Sequence, residues 1–206
     1  MINKMEIDKK TEQLKQIRDE LLNLTNSPLY HYRKENGYFP VAGQGNHNAK
    51  IIFIGEAPGK NEAQTGRPFC GAAGKLLDQL LESVKIKRED VYITNIVKDR
   101  PPQNRDPLPE EIELYAPFLD RQIEIIQPLI IATLGRFSME YIMRRFELET
   151  KIKPISQIHG QSFESPKEID GKKIIIIPLY HPAAAIYNQH LKETLIEDFK
   201  VLKQFK

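Results

Sequence analysis

Three short apolar runs, Ile51–Ile54, Leu129–Leu134 and Lys173–Pro178, constrain this chain more than any other feature in it. Each has the length of a single strand and almost no polar residue to turn toward water. That is the pattern of a strand covered on both faces. A further segment, Val91–Val97, is rich in β-branched residues. Helical spacing fills the intervals. Gly71–Val84 places Leu76, Leu77, Leu80 and Leu81 on one side, and Pro109–Ile126 follows an acidic first turn at Glu110 and Glu111. Gly135–Phe146 reads as another helix, and the chain closes on one carrying Leu191, Leu195, Phe199 and Leu202. Strands that alternate with helices predict an α/β fold with a parallel sheet between two helical layers. The first helix, Met5–Leu24, is amphipathic through Ile7, Leu14, Ile17, Leu21 and Leu22, and a polar stretch from Asn36 to Asn48 follows it. The expectation is one domain over residues 1–206, with residues 1–48 forming a helix and irregular arm packed on it.

Composition excludes several classes. Hydrophobic residues at 40% and charged residues at 28% describe a globular chain, not a disordered one. A formal charge of +2 excludes a histone-like polycation but leaves room for a local basic surface. The single cysteine, Cys70, excludes an internal disulfide and any all-cysteine metal site within the chain. No apolar run approaches the ~20 residues of a membrane helix, and the charged start lacks the apolar stretch of a secretion signal. A cytoplasmic monomer is expected.

In parallel sheets ligands sit beyond the carboxyl ends of the strands. The chemically informative residues of this chain fall there: Glu56–Gly59, Asn95–Arg105 and His181–Asn188. Familiar alternatives fail. Gly71-Ala72-Ala73-Gly74-Lys75 is followed by Leu76, where a phosphate-binding loop needs Ser or Thr. Gly43 and Gly45 lack the third glycine of a dinucleotide fingerprint, the five histidines show no metal-ligand spacing, and there is no Gly-x-Ser-x-Gly turn. Taken singly, Asn95, Phe69 and His181 each have an ordinary structural explanation; their joint occurrence carries the meaning.

Gly55-Glu56-Ala57-Pro58-Gly59, Glu62, Gly66-Arg67-Pro68-Phe69, Thr94-Asn95-Ile96-Val97-Lys98, Arg100-Pro101-Pro102-Gln103-Asn104-Arg105 and His181-Pro182-Ala183-Ala184-Ala185 occur in that order. Over nearly the whole chain the sequence resembles the family 4 uracil-DNA glycosylases. The resemblance implies a three-layer αβα sandwich with a central four-stranded parallel sheet, and hydrolysis of the bond between uracil and deoxyribose in single- or double-stranded DNA. The residue chemistry fits independently. Phe69 offers a face for stacking, and Asn95 carries a carbonyl and an NH₂ that match the N3–H and O4 of uracil while mismatching cytosine. His181 can donate to O2 as negative charge gathers there. Glu56 and Glu62 are the carboxylate candidates, Glu56 for orienting water and, by resemblance, Glu62 for crowding out thymine's methyl; Ala57 joins Phe69 and Asn95 around the base. Arg100, Asn104 and Arg105 are candidate phosphate contacts. Ala184, Ala185, Ile186 and Tyr187 resemble an intercalating loop that fills the gap left by an extruded base. A lesion-binding relative with little activity, or an enzyme of shifted base range such as hypoxanthine, are the alternatives.

The chain departs from that family at one place. The resemblance implies a [4Fe–4S] cluster on four cysteines, and the matching positions here hold Leu24, Ser27, Asp99 and Tyr115. Without thiolates no such cluster is held there, so no cofactor is expected. Contacts involving Leu24 and Tyr115 are expected to take over its stapling of the amino-terminal segment. A related branch traps its product through a histidine in an inserted loop; Lys98 here runs directly into Asp99-Arg100-Pro101, which predicts turnover.

Overall fold

The apolar runs form the middle of a sheet. In the computed structural model, which describes residues 4–205, the chain begins with α1 (Lys4–Leu22), α2 (Tyr30–Glu35), β1 (Gln44–Gly45) and β2 (Ile51–Gly55). Then come α3 (Lys60–Thr65), α4 (Ala72–Ser83), β3 (Tyr92–Asn95), α5 (Pro109–Ile126), β4 (Ile130–Leu134) and α6 (Arg136–Arg145). α7 (Ile155–Ile158), β5 (Phe163–Ile169), β6 (Lys172–Leu179), α8 (Pro182–Ala185) and α9 (Gln189–Phe199) follow. The strand order is β1-β3-β2-β4-β6-β5. The four inner strands are mutually parallel, as expected, whereas β1 and β5 pair antiparallel at the two edges. The sheet is therefore six-stranded, with two edges the hydrophobic pattern did not announce.

Alternation along the inner strands sorts side chains between two cores. Ile52, Ile54, Ile131, Ile174 and Ile176 pack with α1, α5 and α6 on one face. Ile51, Phe53, Ile130, Ala132, Ile177 and Leu179 pack with α4 and α9 on the other. This is the expected sandwich. α5 starts sharply because Pro109 occupies its first turn and the Glu111 carboxylate accepts the Leu108 N–H at 2.8 Å. The arm before β2 is drawn onto β3: Val41 N–H donates to Lys98 O at 2.7 Å and Thr94 Oγ1 to Ala42 O at 2.8 Å. From β2 the chain moves to β3 on one side and later to β4 on the other, which opens a crevice at the carboxyl end of β2. Among the described residues no helix is long and apolar enough to cross a membrane.

Candidate active site

Four chain segments meet at that crevice and enclose a cavity of 330 Å³, near the lower end of the range for small-molecule sites. Glu56 and Ala57 leave the end of β2, Asn95 ends β3, and Phe69 lies in the turn before α4. His181 follows β6 and reaches the cavity across the end of β4, where Gly135 leaves room: a Cβ there would lie 3.2 Å from the His181 Cβ.

Close approach governs the local sequence. A Cβ on Gly55 would lie 2.3 Å from Asn95 Oδ1 and 2.7 Å from the Phe69 ring, so only glycine lets amide and ring share the strand end. A Cβ on Gly74 would strike the Phe69 carbonyl oxygen at 1.8 Å. Phe69 itself holds φ 47°, the left-handed region, at a cost on the order of 1–3 kcal/mol that the surrounding packing must sustain. Glu62 supplies part of that packing: its Oε1 accepts the Cys70 and Gly71 N–H groups at 2.9 and 2.8 Å. One oxygen of this carboxylate is thus committed to shaping the Phe69 turn.

The polar groups are set for different tasks. Asn95 is 1% exposed, and its Oδ1 has no hydrogen-bond donor. The Phe69 and His181 ring centroids are 5.7 Å apart with planes inclined at 30°. His181 Nδ1 accepts the Ala183 N–H at 3.1 Å. In the neutral ring the proton therefore sits on Nε2. Desolvation lowers the His181 pKa to about 4, against a smaller opposing pull from Glu62, so the imidazole is neutral at ordinary pH. Glu56 behaves oppositely. Burial first, then the Asp106 charge, raises its pKa to about 7, with Arg136 pulling the other way.

The cavity brings together Glu56, Ala57, Glu62, Phe69, Asn95, Asn104, Arg105 and His181. The other expected DNA contacts lie outside it. Arg100 donates to Asn104 Oδ1 at 2.7 Å and to Tyr38 OH at 2.8 Å beside the rim. Arg105 is forked onto the buried Glu111 carboxylate at 2.6 and 2.9 Å, which commits its charge internally. Ala185 is 1% exposed and faces the core beneath α8, so its side chain offers DNA no surface. Ala184 is exposed, Ile186 half-buried, and Tyr187 99% exposed. Sequence reading passed over Lys98, whose buried Nζ donates to Asn95 O at 2.7 Å, and over Arg33. A charged pair, Lys98-Asp99, directly after a buried strand was the signal available.

An α/β crevice that places an aromatic face, an amide with an unpaired oxygen and a neutral imidazole around a base-sized cavity defines a class: proteins that grip an extruded nucleobase. The family model described as the uracil DNA glycosylase superfamily matches residues 42–202, and the chain belongs to that superfamily. Within it, the chain is 47% identical to a type-4 uracil-DNA glycosylase of Archaeoglobus fulgidus, over 92% of this chain and 91% of that one. It is 45% identical to a type-4 enzyme of Sulfurisphaera tokodaii, over 94% of this chain and 84% of the relative. The corresponding enzyme of Saccharolobus solfataricus is 46% identical over 91% and 84%.

The positions at which the resemblance implies cluster ligands do not fit a cluster. Ser27, Asp99 and Tyr115 present oxygens that are hydrogen-bonded to one another, and Leu24 packs against the core. The only thiol, Cys70, lies elsewhere, 3.3 Å from Thr65 Oγ1.

Proposed function

We propose that this protein is a uracil-DNA glycosylase: it takes uracil out of the DNA stack and hydrolyses the bond to deoxyribose, leaving an abasic site. The observation that carries the reading is the Asn95 amide, unpaired beside Phe69 and His181. No internal donor holds its oxygen back, and the terminal amide torsion is soft. A small rotation therefore offers the oxygen to the N3–H of a base stacked on Phe69. The same amide's NH₂ then meets O4, a pairing that cytosine reverses.

The chemistry follows from the protonation states. As the C1′–N1 bond breaks, its electron pair moves onto the base and charge gathers at O2. The neutral His181 meets that charge with a hydrogen bond from Nε2–H and keeps that proton, because the acidic proton of an imidazolium is absent at ordinary pH. The Glu56 carboxylate faces the cationic sugar, orients a water toward C1′ and accepts a proton as the water adds. A pKa near 7 suits that exchange. Glu62, pinned by the Cys70 and Gly71 amides, and Ala57 close the wall against which a thymine methyl would press. Tyr187 and Ile186 stand where the stack must be refilled, and Arg100 meets phosphate at the rim.

The test is release of free base from oligonucleotides carrying uracil, hypoxanthine or thymine, single- and double-stranded, with alkali-labile breaks scored in parallel. Uracil release is expected, lowered about 10²-fold or more in Asn95→Ala with duplex binding nearly unchanged. Folded protein that binds DNA but frees no uracil would reduce the chain to a lesion binder. Preferential release of hypoxanthine would shift the substrate.

A further inference from the structure

Beneath the rim of the cavity a chain of buried polar groups joins segments far apart in sequence, and none of its members lines the cavity. Leu29 N–H donates to Ser27 Oγ at 3.0 Å, and Ser27 Oγ lies 2.7 Å from Tyr115 OH. The Tyr115 hydroxyl donates to Asp99 Oδ2 at 2.6 Å. Arg33 Nη1 donates to the same carboxylate at 3.1 and 3.3 Å and to Leu21 O at 2.9 Å, while Nη2 donates to Leu22 O at 3.1 Å. The donors run in one direction: amide to serine, serine to tyrosine, tyrosine to carboxylate, with the guanidinium closing the other end. Chains of this kind strengthen each bond in turn, and a buried charge is tolerated only when so satisfied. The guanidinium also ties down the last carbonyls of α1, so the arm is fastened through the same point.

Asp99 sits where this matters for the site. Its neighbour Lys98 is wholly buried and donates to Thr94 Oγ1, Asn95 O and Gln122 Oε1 at 2.7–2.8 Å, which secures the end of β3. Its other neighbour, Arg100, turns outward to the rim. Asp99 therefore fixes the origin of the Arg100–Arg105 loop, which contributes Pro101, Asn104 and Arg105 to the cavity wall. That loop has two consecutive left-handed residues, Gln103 and Asn104, at φ 57° and 55°. Its shape must be imposed by what anchors it.

We propose that the Ser27–Tyr115–Asp99–Arg33 chain positions the rim loop to receive DNA, in the place where resemblance implies a metal cluster. The proposal rests on the glycosylase reading of the cavity. The residues are positioning residues, since none reaches the substrate.

The test is steady-state uracil excision together with inhibition by free uracil, run well below each variant's unfolding temperature. Tyr115→Phe removes only the oxygen linking Ser27 to Asp99. It should raise KM for uracil-containing DNA about tenfold, the fold-change of one buried hydrogen bond, with kcat nearly unchanged. Inhibition by free uracil should stay as in the native protein, because Lys98 still holds Asn95. Arg33→Met combined with Asp99→Leu replaces the ion pair with apolar packing, a swap that folds tolerate, and should show the same split. Ser27→Ala, the mildest cut, serves where either misfolds. Native KM in the folded variants, with only the unfolding temperature lowered, would make the chain merely structural and overturn the proposal. Stoichiometric iron and sulfide in purified native protein would overturn it too. Failure of the native protein to release uracil would bring down the glycosylase reading itself, and this proposal with it.

Discussion

At Asn95 a buried carbonyl oxygen goes without a donor, which in a folded interior costs about 1–3 kcal/mol until a partner arrives. The same site keeps Phe69 in a left-handed conformation and two titratable groups far from their ordinary ranges. Stability has been given up here for a ready pocket. Glu56 makes this measurable. Burial raises its pKa to about 7, so the carboxyl is protonated below that pH and ionised above it. If the ionised form orients water, kcat/KM should climb with unit slope as pH rises toward about 7 and then level off. Glu56→Gln should be slower and should lack the step. His181, neutral above about pH 4, adds no second limb in this window. A pH-independent native rate between 5 and 9 (a span of roughly four units around that pKa) would refute the role. Asn95 and His181 were legible as residues because they stand at or just after strand ends, and Phe69 because it closes the Gly66-Arg67-Pro68-Phe69 turn. The tautomer of His181 and the protonation of Glu56 were not, since burial and neighbours set both.

Short elements did the most to rearrange the expected picture. The His181 loop folds into a four-residue helix, α8, which turns Ala185 inward and leaves Tyr187 99% exposed. The side chain left for the proposed wedge is thereby chiefly Tyr187, with Ile186 half-buried behind it. An aromatic side chain stacked on bases is worth about 1–3 kcal/mol, so Tyr187→Ala should raise KM for uracil in a duplex by roughly tenfold. On single-stranded substrate, which has no stack to refill, the change should be much smaller; equal effects on both would argue for a general phosphate or sugar contact. β5 was missed for another reason. Its inward positions alternate strictly with exposed ones, but Ser165 and Lys167 occupy two of them, Pro166 lies within the strand, and a register irregularity falls between Glu164 and Glu168. Those are edge-strand features that discourage pairing with other chains. The turn Asp170-Gly171 between Ile169 and Lys172 was the available hairpin signal.

For the molecule as a whole, the formal charge is only +2 and Arg105 at the rim is committed to Glu111, so a modest number of phosphate contacts is expected. The logarithm of DNA affinity should fall with the logarithm of salt at a slope of about −2 to −4, and Arg100→Ala should reduce that slope by about one. A slope near −10 would point to a basic surface larger than the one at the rim. The order of apolar runs and helical stretches was enough for the αβα sandwich and for the strand ends as the place where a cavity opens, because covering a strand on both faces leaves few architectures. The run of motifs likewise placed the pocket residues. Tertiary structure alone decided the rest: which arginine is bonded only to neutral groups and which is spent on a buried carboxylate, which way Ala185 and Tyr187 face, and how Ser27, Arg33, Asp99 and Tyr115 meet. Those outcomes depend on contacts between residues as much as 88 positions apart, and local periodicity carries no information about them.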